Sequence, residues 1–410
     1  MSRLLALALL AGGALVAAPV AAPTPAAAAA PGGTLVYIKD HNVWIAAGDG
    51  SGQRALTRDG TATLPYGSPT QSDGGVVVAT QGPLLVRMDQ QGRVLNKMDP
   101  PSLPTSVGSN VDGNITSAAI SPDGQRIAYS ITNYVSPFGY RSATGYTAAD
   151  HLTDPAALGT TFFWDPSWIG NGRTLQSGGY HSQTQLHDLG QESQYWFDDE
   201  DVYGEGSTDL GNAELSPDGR LLAAVRGFDD NRWIIWYDVS GNAVSGPPPA
   251  VPSPLCQIGP TVIDHPTWAP DSDALAWQEG DGVWTRSGAH DCGVPSTLLL
   301  PGGSEPDWSP APLSAPAQDG QQNGNGTGTG EPRIKGKARV GKVLRADVSG
   351  LAATGKVTVT WLRDGKKVGK GRKHKVVAAD RGHRLRIRVV VKAPGKPAVK
   401  VTSKSVRVRR

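Results

Sequence analysis

Cysteine is nearly missing: the 410 residues contain two, Cys256 and Cys292. That excludes a disulfide-scaffold protein and a cysteine-rich metal site. Histidine is also scarce, with eight scattered copies and no His-Glu-x-x-His. His181 and His187, the nearest to a spaced pair in one segment, lie in an expected loop and do not read as zinc ligands. No Gly-x-Ser-x-Gly occurs, so the nucleophile elbow of an α/β-hydrolase is lacking. After the first residues there is no apolar run long enough to cross a bilayer. What the chain has in quantity is glycine, 52 residues, and proline, 32, which together call for many turns between short strands.

The near-zero net charge of +2 hides a split. From Glu331 to Arg410 there are 25 Lys and Arg against four acids (Glu331, Asp347, Asp364 and Asp380), a balance of +21. The rest of the chain carries 14 basic and 33 acidic residues, a balance of −19. Asymmetry on this scale concerns partners more than fold.

Arg3 precedes the apolar run Leu4–Val16, and an Ala/Pro stretch follows to Ala30. A basic start, a short apolar core and small-residue exit sites spell a secretory leader over 1–30. With no lipidation cysteine after it and a chain end of Arg407-Val408-Arg409-Arg410, the expected product is a secreted, unanchored monomer. In that oxidising setting Cys256 and Cys292 are expected to form one disulfide.

A repeat runs through the first three hundred residues. Ser121-Pro122-Asp123-Gly124 recurs as Ser216-Pro217-Asp218-Gly219, with variants at Ala269-Pro270-Asp271, Ser72-Asp73-Gly74 and Gly170-Asn171-Gly172. Each is followed by an apolar strand. The marker residues Asp73, Asp123, Asn171, Asp218 and Asp271 stand 50, 48, 47 and 53 apart, the length of a four-stranded blade. Pro presets φ, Asp bonds back to the backbone and Gly supplies the unusual φ, so the tetrapeptide is a tight turn.

These residues resemble the TolB-type, WD-like propeller repeat, over roughly Gly33 to Pro310. The first copy opens on Leu35-Val36-Tyr37 without an inner strand, and the last, Glu305 to Pro310, is an inner strand with nothing after it. The two halves make one blade, so the resemblance implies an all-β, six-bladed propeller closed by its own ends. TolB's additional α/β domain has no counterpart ahead of the repeats, which leaves TolB's envelope partners without support here.

Residues 311–330 read as a flexible Gly/Pro/Gln/Asn linker. Residues 331–410 alternate in β fashion, as in Val357-Thr358-Val359-Thr360-Trp361 and Leu385-Arg386-Ile387-Arg388-Val389. With Gly336-x-Ala338-x-Val340-Gly341 as its opening, this segment resembles the small Ig-like repeats appended to secreted actinobacterial proteins. That implies a β-sandwich with Trp361 in its core.

Two groups could carry function. Lys366, Lys367, Lys370, Arg372, Lys373 and Lys375 crowd one turn and its flanking strand, while Arg384, Arg386 and Arg388 project from one strand face. They are the expected contacts to an anionic wall polymer or membrane surface, with no aromatic interleaving to favour nucleic acid. Asp198, Asp199, Glu200 and Asp201 are the densest acids and a weak Ca²⁺ candidate. They lack the spaced order of a calcium loop and read as a solvated acidic loop. Trp164, Trp168, Trp268, Trp277, Trp284 and Trp308 recur at repeat positions and read as packing between blades. No cofactor is implied. The expected function is non-enzymatic recognition of a protein or glycan at the ring face. The alternative is a lyase or glycoside hydrolase with carboxylates at the central channel.

Overall fold

The structure is a computed structural model describing residues 32–179, 182–204, 206, 208–316, 332–348, 356–392 and 399–409. The expected leader and most of the expected linker lie outside them. The chain divides into two compact units that part between Ala315 and Pro316.

Among the described residues the first unit holds six four-stranded antiparallel sheets, with a two-stranded ribbon, Leu103–Pro104 and Asn110–Val111, beside them. In chain order, their first strands are Tyr66–Gln71, Ile115–Ile120, Trp164–Ile169, Leu210–Leu215, Asp264–Trp268 and Ser304–Ser309. Five sheets are continuous in sequence. The sixth takes Ser304–Ser309 as first strand and Thr34–Lys39, Asn42–Ala47 and Arg54–Ala55 as the rest. The two ends of the repeat region thus pair, with Thr34 opposite Ser309 and Leu35 opposite Trp308. Each first strand packs against the first strand of the next sheet, and Ser304–Ser309 packs against Tyr66–Gln71, so the contacts close a cycle.

The turns follow the sequence chemistry. Ser121 Oγ and Ser216 Oγ donate to Asp123 and Asp218, while Gly124 at φ 71° and Gly219 at φ 75° take the left-handed position. Apolar residues of the middle strands, such as Val78, Tyr129, Leu186, Ile235 and Trp277, are wholly buried between sheets. Cys256 and Cys292 are disulfide-bonded, with Cα atoms 5.5 Å apart. Trp168 Nε1 donates to Ala119 O at 2.9 Å and Trp268 Nε1 to Glu214 O at 3.0 Å, so these two indoles tie a sheet to its predecessor.

Two local expectations change. Ala311 to Ser314 continue onto the first unit and do not begin a free linker: Thr34 Oγ1 donates to Ala311 O, and Gln90 bonds Pro312 O and Ser314 N. Asp198–Asp201 is not a solvated loop. Asp198 caps the short helix Asp199–Tyr203 in a capping box, and Asp199 is buried against the Arg226 guanidinium. Its charge is already satisfied. Among the described residues no group of three or more His, Cys, Asp and Glu could hold a metal ion.

In the second unit, Arg333–Lys335, Val343–Asp347 and Lys373–Lys375 form one sheet. Lys356–Arg363, Lys366–Lys370, Arg384–Lys392, Val399–Thr402 and Val406–Arg407 form the other. Leu344 and Ala346 from the first meet Trp361, Leu385, Ile387 and Val389 from the second in one core. Trp361 is fully buried and stacks on His374 at 5.1 Å. Buried Asp380 accepts from His374, Arg363 and the Val377 amide. Burial alone would raise its pKa, but these hydrogen bonds outweigh burial and hold it low.

Candidate functional site

The six first strands enclose a cavity of about 830 Å³, and every one of them contributes to its wall. The lining has a common plan. Each first strand carries a register shift near its start. At that bulge stands a polar residue, four positions before the point where the strand runs into its turn (Ser72, Ser121, Ile169, Ser216, Ala269 and Ser309): Ser68, Ser117, Asp165, Asn212, His265 and Glu305. Ser117 apart, these have positive φ, between 43° and 50°. Proline follows at 69, 166, 266 and 306, which bars the right-handed helical conformation from the residue before it. Backbone and position repeat around the cycle while the side chain changes from sheet to sheet. Such strained polar positions concentrate where proteins bind ligands.

Two residues further on, the side chains join neighbouring sheets. Thr70 Oγ1 accepts from Ile120 N, Glu214 Oε1 from Trp268 N at 3.0 Å, Thr267 Oγ1 from Trp308 N at 3.0 Å, and Asp307 Oδ2 from Gln71 N at 2.8 Å. A first strand has only one strand partner, so its outer amides need acceptors from the preceding sheet. Glu214 and Asp307 therefore do what threonine does at the other two junctions. Among the described residues no Lys or Arg lines the cavity. Loss of water pushes the Glu214 carboxyl up to about 8, with Asp307 adding repulsion, and pushes Asp307 up to about 7. Desolvation also raises Asp165.

All nine basic side chains singled out in the sequence are exposed, but they do not form one cluster. Lys370 and Arg388 flank Thr360, and Lys367 and Arg386 flank Leu362, so these four share a sheet face. Arg384 joins them by strand parity, opposite Arg407, a residue the sequence reading passed over. Lys373 and Lys375 belong to the other sheet, where Arg345 pairs with Lys373. Lys366 sits at the hairpin turn and Arg372 between strands. The run 366–375 is thus divided between two sheets, because strand pairing overrides adjacency.

The channel residues were missed in sequence because they lie about fifty positions apart. The available signal was their constant offset before each turn.

No family model and no curated protein matches the chain. Solved structures similar to it include TolB from Acinetobacter baumannii, at 16% identity and a TM-score of 0.45, over 68% of this chain and 66% of that one. The chain thus spans just under two thirds of that protein. A putative TolB from Agrobacterium tumefaciens matches at 15% identity and a TM-score of 0.42, over 67% of this chain and 91% of that one. A chain of a mitotic checkpoint complex matches at 13% and 0.39, over 70% of this chain and 90% of that one. The protein is a nearly all-β chain whose solved structural neighbours include TolB-like β-propeller proteins.

Proposed function

We propose that the chain is an exported, non-enzymatic binding protein, made of a TolB-like six-bladed propeller and a small basic Ig-like sandwich. The propeller recognises a protein or glycan at one face, and the sandwich associates with anionic polymers or lipid head groups of the envelope. The observation that carries this reading is the strand Arg384–Lys392, where Leu385, Ile387 and Val389 are fully buried while Arg384, Arg386 and Arg388 are exposed. Lys367, Lys370 and Arg407 extend that face. Such a density of one sign exceeds what solubility requires.

Binding is favoured over catalysis by the use made of the channel acids. A glycosidase reading would pair Glu214 with Asp307, yet both accept backbone hydrogen bonds that hold adjacent sheets together.

Co-sedimentation of the full chain with purified anionic wall polymer tests the proposal. Binding is expected at about 50 mM salt and should be lost near 0.5 M, as the Debye length contracts from above 10 Å to a few ångströms. Pelleting that is absent at low salt, or indifferent to salt, would refute it.

A further inference from the structure

The strand directions place two kinds of connection at one end of the first unit: the hairpins between second and third strands, and the links from each fourth strand to the next sheet. The Ser-Pro-Asp-Gly turns occupy the other end. Among the described residues, seven aromatic side chains are exposed, namely Tyr134, Phe138, Tyr140, Phe162, Tyr195, Tyr203 and Phe228. All but Tyr195, which lies on a fourth strand, belong to the hairpin end. Tyr134 and Tyr140 are register partners on strands of ten residues, against six in most sheets, and their rings meet edge to face at 5.8 Å. Scattered surface aromatics are ordinary. Six gathered at one end mark an interaction surface.

A groove of about 370 Å³ opens at this end, walled by Trp164 and Phe228 and by the acids Asp209, Asp229 and Asp264. Among the described residues its one Lys or Arg, Arg232, is spent on Asp264. No basic side chain pairs with Asp209 or Asp229 among the described residues. Asn212 lines both this groove and the central cavity, whose wall adds Asp165 and Glu305 and, among the described residues, has no Lys or Arg. The two spaces meet at Asn212 and present aromatic faces together with the carboxylates of Asp209, Asp229, Asp165 and Glu305, with His265 beside Asp165. The same end already shows what such chemistry holds. Arg226 lies over the Tyr203 ring at 4.3 Å and forks onto both oxygens of Asp199 at 2.6 and 3.0 Å.

We propose that this end of the first unit binds an extended, arginine- or lysine-bearing segment of a partner protein, laid from the Phe228 hairpin across Asn212 toward the channel. The proposal rests on the reading of the first unit as a recognition module and names the chemistry of its partner. Carboxylates supply charge complementarity, and the rings supply cation–π contact and apolar cover for long side-chain stems. A neutral glycan would also stack on Trp164 and Phe228, but it would not need the carboxylates.

The test uses the full chain, whose basic second unit repels a cationic probe. Octa-arginine is titrated by calorimetry at about 50 mM salt, with chitotetraose as the neutral probe. Binding of octa-arginine is expected. Phe228→Ala combined with Asp229→Asn should weaken it about tenfold, with the thermal transition unchanged because both residues lie at or beside an exposed hairpin turn. Asp165→Asn, made separately, should weaken it as well. No binding of octa-arginine, or binding indifferent to both variants, overturns the proposal. So does chitotetraose binding that Phe228→Ala abolishes while octa-arginine fails to bind. Wall-polymer pelleting in parallel separates the two proposals: it depends on the second unit and should be unaffected by these substitutions.

Discussion

Replacing Glu214 with glutamine should stabilise the protein at alkaline pH. Glu214 Oε1 accepts from Trp268 N and Thr267 Oγ1, and Gln offers the same acceptor without the charge. The carboxyl is pushed from its ordinary 4.5 up to about 8, first by loss of water and then by Asp307. An acid raised on folding holds its proton more tightly in the native state. Its contribution is therefore fully present below about pH 4.5 and is lost as pH rises through about 8. Undamped, that displacement corresponds to about 5 kcal/mol. Water in the cavity and the coupling to Asp307 reduce it, and we expect about 2 kcal/mol at pH 9. For a unit of this size, that is roughly 4–8 °C in melting temperature. Thermal melts of both proteins from pH 5 to 9 provide the assay. The two should coincide near pH 5, and the wild type should fall away as pH rises. Parallel profiles, or a variant less stable at pH 9, would show that Glu214 does not carry an unfavourable buried charge.

Deleting Ser304–Ser309 removes the strand paired with Thr34–Lys39 together with the acceptor that Asp307 gives to Gln71, so the first unit should lose its cooperative melt or self-associate; a parent-like melt would refute closure. Cys292→Ser opens a loop of 36 residues and should cost about 4 kcal/mol in chemical denaturation, less if the unfolded state stays compact. An unchanged midpoint would show that the bond contributes nothing.

How far the sequence reveals this structure depends on whether a feature is local. The Ser-Pro-Asp-Gly turns are local, and so is the alternation Leu385-Arg386-Ile387-Arg388, so turns, strands and the basic face can be read directly. The split of one sheet between the two ends of the repeat region is legible because each half is visibly incomplete. Asp199 is different. Four adjacent acids look solvated until Arg226, 27 residues on, is seen to pair with one of them. The channel depends on residues brought together by closure: Glu214 and Asp307 belong to sheets 93 residues apart in sequence, and nothing near either announces the other. The basic run fails for the opposite reason, since Lys370 and Lys373 are near in sequence but sit on different sheets.

The central claim is that one face of the basic unit holds an anionic polymer. It is tested most directly by comparing two sets of substitutions in the full chain. One set neutralises Lys367, Lys370, Arg386 and Arg388, which share a face, and the other neutralises Arg333, Arg345, Lys373 and Lys375 on the other sheet. Both remove four charges. Affinity for anionic wall polymer, measured at about 50 mM salt where screening is weak, should fall much further with the first set. Equal losses would make the attraction a matter of net charge alone, and no loss from either would contradict the account.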